Sequence, residues 1–490
     1  MLSLAGNLFA KKPWSLLRMN SLKSMHRRPR LTPHKCPRCV LICLAAFSVI
    51  GGVTLPGGAV ADENSPPLSE WLSGDGLTGS WGGLRTKLMD RGVEFFGTYY
   101  AEGWGNTRGG LETGTVYTGM AEFGFNLDLE KAICWHGASF RMNWLWLSGR
   151  NASEDLVGNF LTISSIAGFN TLRDYELWFQ QNLLNDKISI RLGQLAADTE
   201  FVISDYGALF LNGTFGWPAF MYLNLPEGGP GLPVGILGIR LAVQPLDWFR
   251  FQTAAFQGNV YAQNVNLHGF RWRLDGANGF FFLNEAQFSW NKKAAETGLP
   301  GQFKAGGWFH TAEFAEANND AFARGNSGCY FIIDQMLYRN PMKTTEHSAN
   351  ADGDGKSALN NTNTTGTTEE KSDQGLGWFG RIAYEPQDRN FIDFYFDTGL
   401  TYKGLIPTRD GDTLGVALAY AHLSSGVQET EVDESPVSLV GAEMALELSY
   451  QAQLTKWLSI QPDLQVIINP GGNNELNNAI VVGGRVSLTF

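Results

Sequence analysis

The sequence predicts an all-β fold, a sixteen-stranded antiparallel transmembrane β-barrel with long loops. Three observations predict it. Segments of about ten residues alternate apolar and polar side chains, so that one face suits lipid and the other a lumen. No apolar run after Ala61 reaches the roughly 20 residues of a helical span. The chain closes on Arg485-Val486-Ser487-Leu488-Thr489-Phe490, apolar at alternate positions with a terminal aromatic residue.

The first 61 residues stand apart. They hold nine Lys and Arg and no Asp or Glu. The uncharged stretch Val40–Val53 follows, 14 residues long and too short for a comfortable helical span. Pro56, glycines and the small triplet Ala59-Val60-Ala61 then lead into Asp62. Basic region, short apolar core and A-x-A site read as a secretory signal peptide cleaved after Ala61. Its length leaves the true start among Met1, Met19 and Met25 undecided, and the alternative is an uncleaved anchor. Cys36, Cys39 and Cys43 fall inside this leader and receive no function. Residues 62–92 read as an N-terminal periplasmic segment with a short helix around Gly82–Arg91, and 93–490 as the barrel.

Beyond the leader, 28 basic face 48 acidic residues, a net charge of −20. That balance excludes a nucleic-acid partner, which requires clustered Lys and Arg. Two cysteines, Cys134 and Cys329, do not make a disulfide scaffold, and whether they pair is left open.

Strands are expected near 93–104, 115–128, 136–147, 171–182, 187–195, 232–244, 248–258 and 279–290. The remaining eight are expected near 301–314, 328–339, 376–386, 389–403, 413–423, 439–451, 456–468 and 478–490. In Ile188-Ser189-Ile190-Arg191-Leu192 and Ile239-Arg240-Leu241 the arginines take the face opposite the aliphatic residues. Phe, Trp and Tyr gather toward strand ends, as interfacial girdles require. A soluble sheet would also alternate, but no amphipathic helix long enough to cover one is evident. Gln244-Pro245-Leu246-Asp247, Pro386-Gln387-Asp388 and Leu454-Thr455-Lys456 read as hairpin turns. Longer connections are 148–170, 196–231, 259–278 and the Thr/Asn/Gly-rich 341–375. With strictly alternating sides this last one falls on the periplasmic side, where turns should be short. That conflict marks one strand boundary as suspect.

Several stretches together resemble the carbohydrate-selective porins (OprB-type). Leu77-Thr78-Gly79-Ser80-Trp81-Gly82-Gly83-Leu84-Arg85 followed by Arg91-Gly92-Val93 looks like that family's opening signature. Gly380-Arg381, Pro386-Gln387-Asp388-Arg389-Asn390, Gly399–Leu405 and Arg409–Gly415 are similar to its late strands. So are Leu454–Trp457, Gln461–Gln465, Asn469-Pro470-Gly471-Gly472 and Gly484-Arg485 near the end. The likeness runs through 71–490 in unbroken order. It departs at Ser80, where an acidic residue is expected, and in the 341–375 insert. The resemblance implies a sixteen-stranded outer-membrane channel for inward diffusion of mono- and small saccharides.

A lumen must hold a hydroxyl-rich solute weakly enough to release it. Arginines and carboxylates supply hydrogen bonds, and aromatic rings supply flat apolar faces. Alternation turns Arg141, Arg191, Arg240, Arg250 and Arg381 inward, with Glu176, Glu285, Asp393 and Asp397. Arg191 and Arg240 flank the long loop and are expected at the narrowest point, with Trp217 of that loop, which also holds Asp198, Phe201, Phe210, Phe215 and Phe220 and could fold inward. Any one of these residues could instead be an ordinary lumen group paired with its neighbour. None of the five histidines outside the leader sits in a nucleophile motif, and Gly-x-Ser-x-Gly is absent. No enzyme, metal or cofactor is therefore expected. Sugars in transit, outer-membrane lipids and the barrel-assembly machinery, read through the strand ending at Phe490, are the expected partners. A homo-oligomer is left open, as are a general channel and a structural barrel.

Overall fold

The computed structural model describes residue 74 and residues 76–490, apart from 261–264, 275–277, 293–295, 297, 317–320, 342–372 and 426–440. The leader and its cleavage site lie outside the described residues. No helix among them is long and apolar enough to cross a membrane.

A short helix α1 (Leu84–Asp90) precedes sixteen strands. They are β1 (Val93–Arg108), β2 (Gly114–Asp128), β3 (Ala138–Gly149), β4 (Thr171–Leu183), β5 (Ile188–Leu195), β6 (Ile236–Leu246), β7 (Phe249–Gln257) and β8 (Phe280–Trp290). Then come β9 (Gly301–Ala315), β10 (Phe322–Arg339), β11 (Gly375–Tyr384), β12 (Ile392–Lys403), β13 (Thr413–Leu423), β14 (Ala442–Thr455), β15 (Leu458–Ile468) and β16 (Ala479–Thr489). Each pairs antiparallel with its chain neighbour, and β1 pairs with β16 to close the barrel. A helix α2 (Leu129–Ile133) fills the β2–β3 connection, its N-terminus capped by the Asp128 carboxylate.

Alternation works as expected. Leu192, Ile239, Leu241, Phe251, Ile382, Leu448 and Val482 stand exposed on the outer face, while the residues between them turn inward. Aromatic contacts gather at both rims: Phe95–Phe125, Phe125–Phe140 and Phe288–Phe303 at the end carrying both termini, Phe280–Phe282 and Phe394–Tyr420 at the other. Two aromatic girdles around an aliphatic band match a barrel's two membrane interfaces.

The suspected strand boundary proves sound. β10 and β11 pair directly from Cys329↔Tyr384 to Arg339↔Gly375, so the long 340–374 connection leaves the barrel at the end holding both termini. β10 instead starts earlier than expected, because Phe322 to Arg324 pair with Ala315 to Glu313 of β9. Cys134 and Cys329 are both free.

The N-terminal segment fastens to the closing strand. Leu77 N–H donates to the Thr489 carbonyl at 2.9 Å, and Arg85 Nη2 to the Phe490 carbonyl at 3.1 Å.

Candidate functional site

The connection from β5 to β6 folds into the barrel. Its Phe201, Phe210, Phe215, Trp217 and Phe220 are buried with inward residues of the far wall, among them Tyr330, Phe379 and Tyr395. Phe215 meets Phe379 edge-on at 6.1 Å, and Phe220 lies 5.4 Å from Tyr395. Small wall residues make the room: a Cβ on Gly377 would come within 2.2 Å of the Tyr206 ring, and one on Gly415 within 2.5 Å of Leu209.

A buried loop must find partners for its backbone. The far wall supplies them. Glu285 accepts Val202 N–H at 3.1 Å, Asp334 accepts Tyr206 N–H at 3.3 Å, and Glu447 accepts Leu211 and Asn212 N–H at 2.6 and 3.0 Å. Lys304 donates to the Ile203 carbonyl at 2.6 Å. Arg381 donates to the carbonyls of Val202, Thr214 and Phe215 at 3.0, 3.0 and 2.9 Å, and Asp397 neutralises it at 2.5 Å. Tyr395 donates to the same Asp397 at 2.7 Å.

A second loop, from β3 to β4, also turns inward. Glu443 accepts the N–H groups of Phe160 and Leu161 at 2.9 and 2.6 Å, and Ser164 donates to Glu102 at 2.5 Å. Between these loops and the near wall of β1, β2 and β16 lies a cavity of about 310 Å³, bordered by Tyr100, Glu122, Ser164, Asp198, Trp217 and Arg485. Asp198 sits in the loop, where it accepts Tyr175 O–H at 3.0 Å and Leu232 N–H at 2.7 Å. Burial nevertheless pushes its carboxyl up to about 6.

Beside this cavity runs a row of arginines on β3, β5, β6 and β7. Arg191 and Arg240 are directly opposed across β5 and β6, a like-charge pairing that would repel unaided. Glu200, reaching in from the loop, sits between them, 3.3 Å from Arg191, 2.9 Å from Arg240 and 4.0 Å from Arg250. Gln180 Oε1 accepts from both Arg191 and Arg240, at 3.0 and 2.9 Å. The guanidinium of Arg191 lies 3.9 Å above the Trp178 ring, and that of Arg141 lies 4.2 Å above Phe96. Arg141 pairs with Glu122 at 3.1 Å and Glu176 at 3.4 Å. The Trp178 indole N–H is buried and has no hydrogen-bond partner among the described residues. The side chains of Arg141, Arg191 and Arg250 keep 23, 15 and 36 % exposure, whereas Arg240 keeps 2 %.

The structure thus brings together Arg141, Glu176, Arg191, Arg240 and Arg250 and sets Trp217 across the cavity from Arg485. Two residues expected in this group stand elsewhere. Arg381 points inward, as alternation requires, but its guanidinium is wholly enclosed and its donors are taken by the loop and Asp397. That is a correction: it grips the loop and offers nothing to a passing solute. Asp393, on the far wall, pairs with His422 at 2.6 Å. The sequence reading missed Trp178, which shares a face with Glu176 by two-residue spacing and was findable. It also missed Glu200, whose place depends on how the loop folds.

The family model for carbohydrate-selective porins of the OprB family matches residues 112–490. The chain belongs to that family. It is 25 % identical over 486 residues to Porin B of Pseudomonas aeruginosa, a match spanning 91 % of this chain and 97 % of that protein. Its fold is similar to the high-pH structure of Pseudomonas putida OprB, with a TM-score of 0.71, 24 % identity, and coverage of 85 % of this chain and 99 % of the other. The low-pH structure of the same porin matches with a TM-score of 0.52. The chain is therefore a multi-pass β-barrel of the bacterial outer membrane, and its lumen is a carbohydrate channel.

Proposed function

We propose that this porin passes mono- and small saccharides into the periplasm by passive diffusion, and that Arg141, Arg191, Arg250 and Trp178 are the groups a sugar touches. The observation that carries the reading is the partly exposed Arg191 guanidinium stacked at 3.9 Å on Trp178, beside carboxylates. A sugar offers hydroxyl edges and an apolar ring face, and this wall answers both. Arg240 and Glu200 hold Arg191 in place, and Glu176 does so for Arg141. Trp217 narrows the passage from the loop side. The row's charges are engaged in pairing, which suits a pore that holds a solute weakly and releases it. A leader over residues 1–61 delivers the chain to the envelope. The assembly machinery then folds it through the strand ending at Phe490 into outer-membrane lipid, where a homo-oligomer fits the same barrel.

Liposome swelling and single-channel recording on refolded protein test this. Arg191→Ala should raise small-ion conductance and shift glucose saturation to roughly tenfold higher concentration, the weight of one charge-assisted hydrogen bond of about 1.5 kcal/mol. Arg191→Lys should restore the charge but not the planar stack. Arg240→Ala should act in the same direction by freeing Glu200. If both alanine variants saturate with glucose at native concentration and conductance, selection lies elsewhere, with Trp217 the next residue to replace.

A further inference from the structure

Arg173 stands on β4 near the rim opposite the chain termini. It is directly opposed to the buried, inward Leu145 of β3, so it too points inward. The residue is 2 % exposed, and its Nε has no hydrogen-bond partner among the described residues. The guanidinium lies over the Phe169 ring, 5.0 Å from its centroid. The adjacent Asp174 is near enough to act on it through space but makes no ion pair with it among the described residues: that residue opposes Trp144 on the outer face, and both its carboxylate oxygens are buried without a hydrogen-bond partner.

A buried cation with no carboxylate in contact is costly, and proteins rarely keep one unless something else brings the negative charge. Here the guanidinium borders a cavity with about 30 Å³ of free space, also lined by Trp217, Tyr222, Asn266 and the backbone of Gly228 and Gly229. That room fits about two water-sized atoms, the two oxygens of one carboxylate. Trp217, Tyr222 and Leu232 border both this cavity and the larger one beside the arginine row, so the two adjoin. Glu227 also lines the small cavity. Burial raises its pKa, which makes its proton easier to keep when an anion arrives.

We infer that Arg173 and its cavity form a subsite for the carboxylate of an acidic sugar, whose ring then rests against Trp217 at the edge of the main passage. The inference rests on the chain being a sugar channel and extends it to anionic solutes. Such a group would also offset the repulsion that a net charge of −20 beyond the leader exerts on anions. The bidentate match of guanidinium to carboxylate supplies the selectivity.

The test uses the full barrel in planar bilayers, with glucose, glucuronate and inorganic phosphate as current blockers. In the native porin glucuronate should block at a concentration at least fivefold below glucose. Arg173→Gln should abolish that difference and leave glucose block unchanged, while Arg173→Lys should retain part of it. Phosphate block equal to that of glucuronate, and equally lost in Arg173→Gln, would show a site for small anions in general and overturn the sugar-acid assignment. Equal block by glucose and glucuronate in the native porin overturns the subsite. So does loss of glucose block together with the heat-modifiable gel shift in Arg173→Gln, because Arg173 would then be a structural prop. Absence of any glucose block in the native porin would instead strike the channel reading itself.

Discussion

Arg381 and Asp397 are the pair on which the inward loop depends. Both side chains are fully buried, 2.5 Å apart, and the arginine also caps three loop carbonyls. Removing one partner of such a pair leaves a buried charge, at a cost of about 3–5 kcal/mol. Arg381→Ala is therefore expected to lower the thermal unfolding midpoint and raise single-channel conductance as the loop loosens. The double replacement Arg381→Met with Asp397→Leu should recover most of the stability and still conduct more than native, since the loop carbonyls stay without a donor. Native conductance in the double variant would show that aromatic packing alone holds the loop. Arg141, Arg191 and Arg250 differ from Arg381 in exposure and not in type, which is why they can meet solute and Arg381 cannot, while Arg240 is enclosed like Arg381.

At the scale of elements, the barrel divides its wall into two arcs. The arc from β8 to β15 turns Glu285, Asp334, Glu443 and Glu447 toward inward loops as acceptors. The opposite arc carries the arginine row and also holds loop residues, Ser164 through Glu102 and Glu200 through Arg240. Asp198, on the β5–β6 connection, belongs to the cavity between them. Burial lifts its carboxyl from 3.8 to about 6, so the ionised form opposes the folded arrangement. That cost is absent below the unfolded value, grows between the two values and is complete above about 6. The lumen accordingly carries this negative charge above pH 6 and loses it below. Cation preference, read as reversal potential in a salt gradient, should fall as pH drops through about 6, and Asp198→Asn should lack that step. A step that persists in the variant would assign the titration to another group.

For the whole molecule, closure is the decisive contact. β16 pairs with β1 from Thr98↔Thr489 to Arg108↔Ile480, and Phe490 N–H donates to the Gly97 carbonyl at 2.9 Å. The N-terminal segment adds Leu77 and Arg85 to the same strand end. Without closure, two edges of unpaired backbone would face hydrocarbon, where each unsatisfied group costs several kcal/mol. Deleting Phe490 should reduce the fraction of protein that resists SDS until boiled far more than deleting a residue of an extracellular loop. Equal assembly of the two variants would mean that the pairing of β16 suffices without its terminal residue.

What the sequence determined by itself was everything set by a two-residue period. Alternation assigned the lipid and lumen faces, so Arg191, Arg240 and Arg141 were correctly turned inward, and the number and order of the sixteen strands were legible, though not every boundary. Motifs such as Gln461-Pro462-Asp463 pointed to the family that the family model bears out. Only the tertiary structure decided which inward residues meet solvent. Periodicity says which side of a strand a side chain takes, but not what covers that side. Arg381 and Arg191 read alike in sequence, yet one is enclosed by the Val202–Phe215 stretch of a loop that crosses from the opposite side of the barrel and the other keeps 15 % exposure. That loop's path follows from aromatic packing and backbone hydrogen bonds across the full width of the barrel, contacts between residues more than a hundred positions apart, which no local pattern encodes.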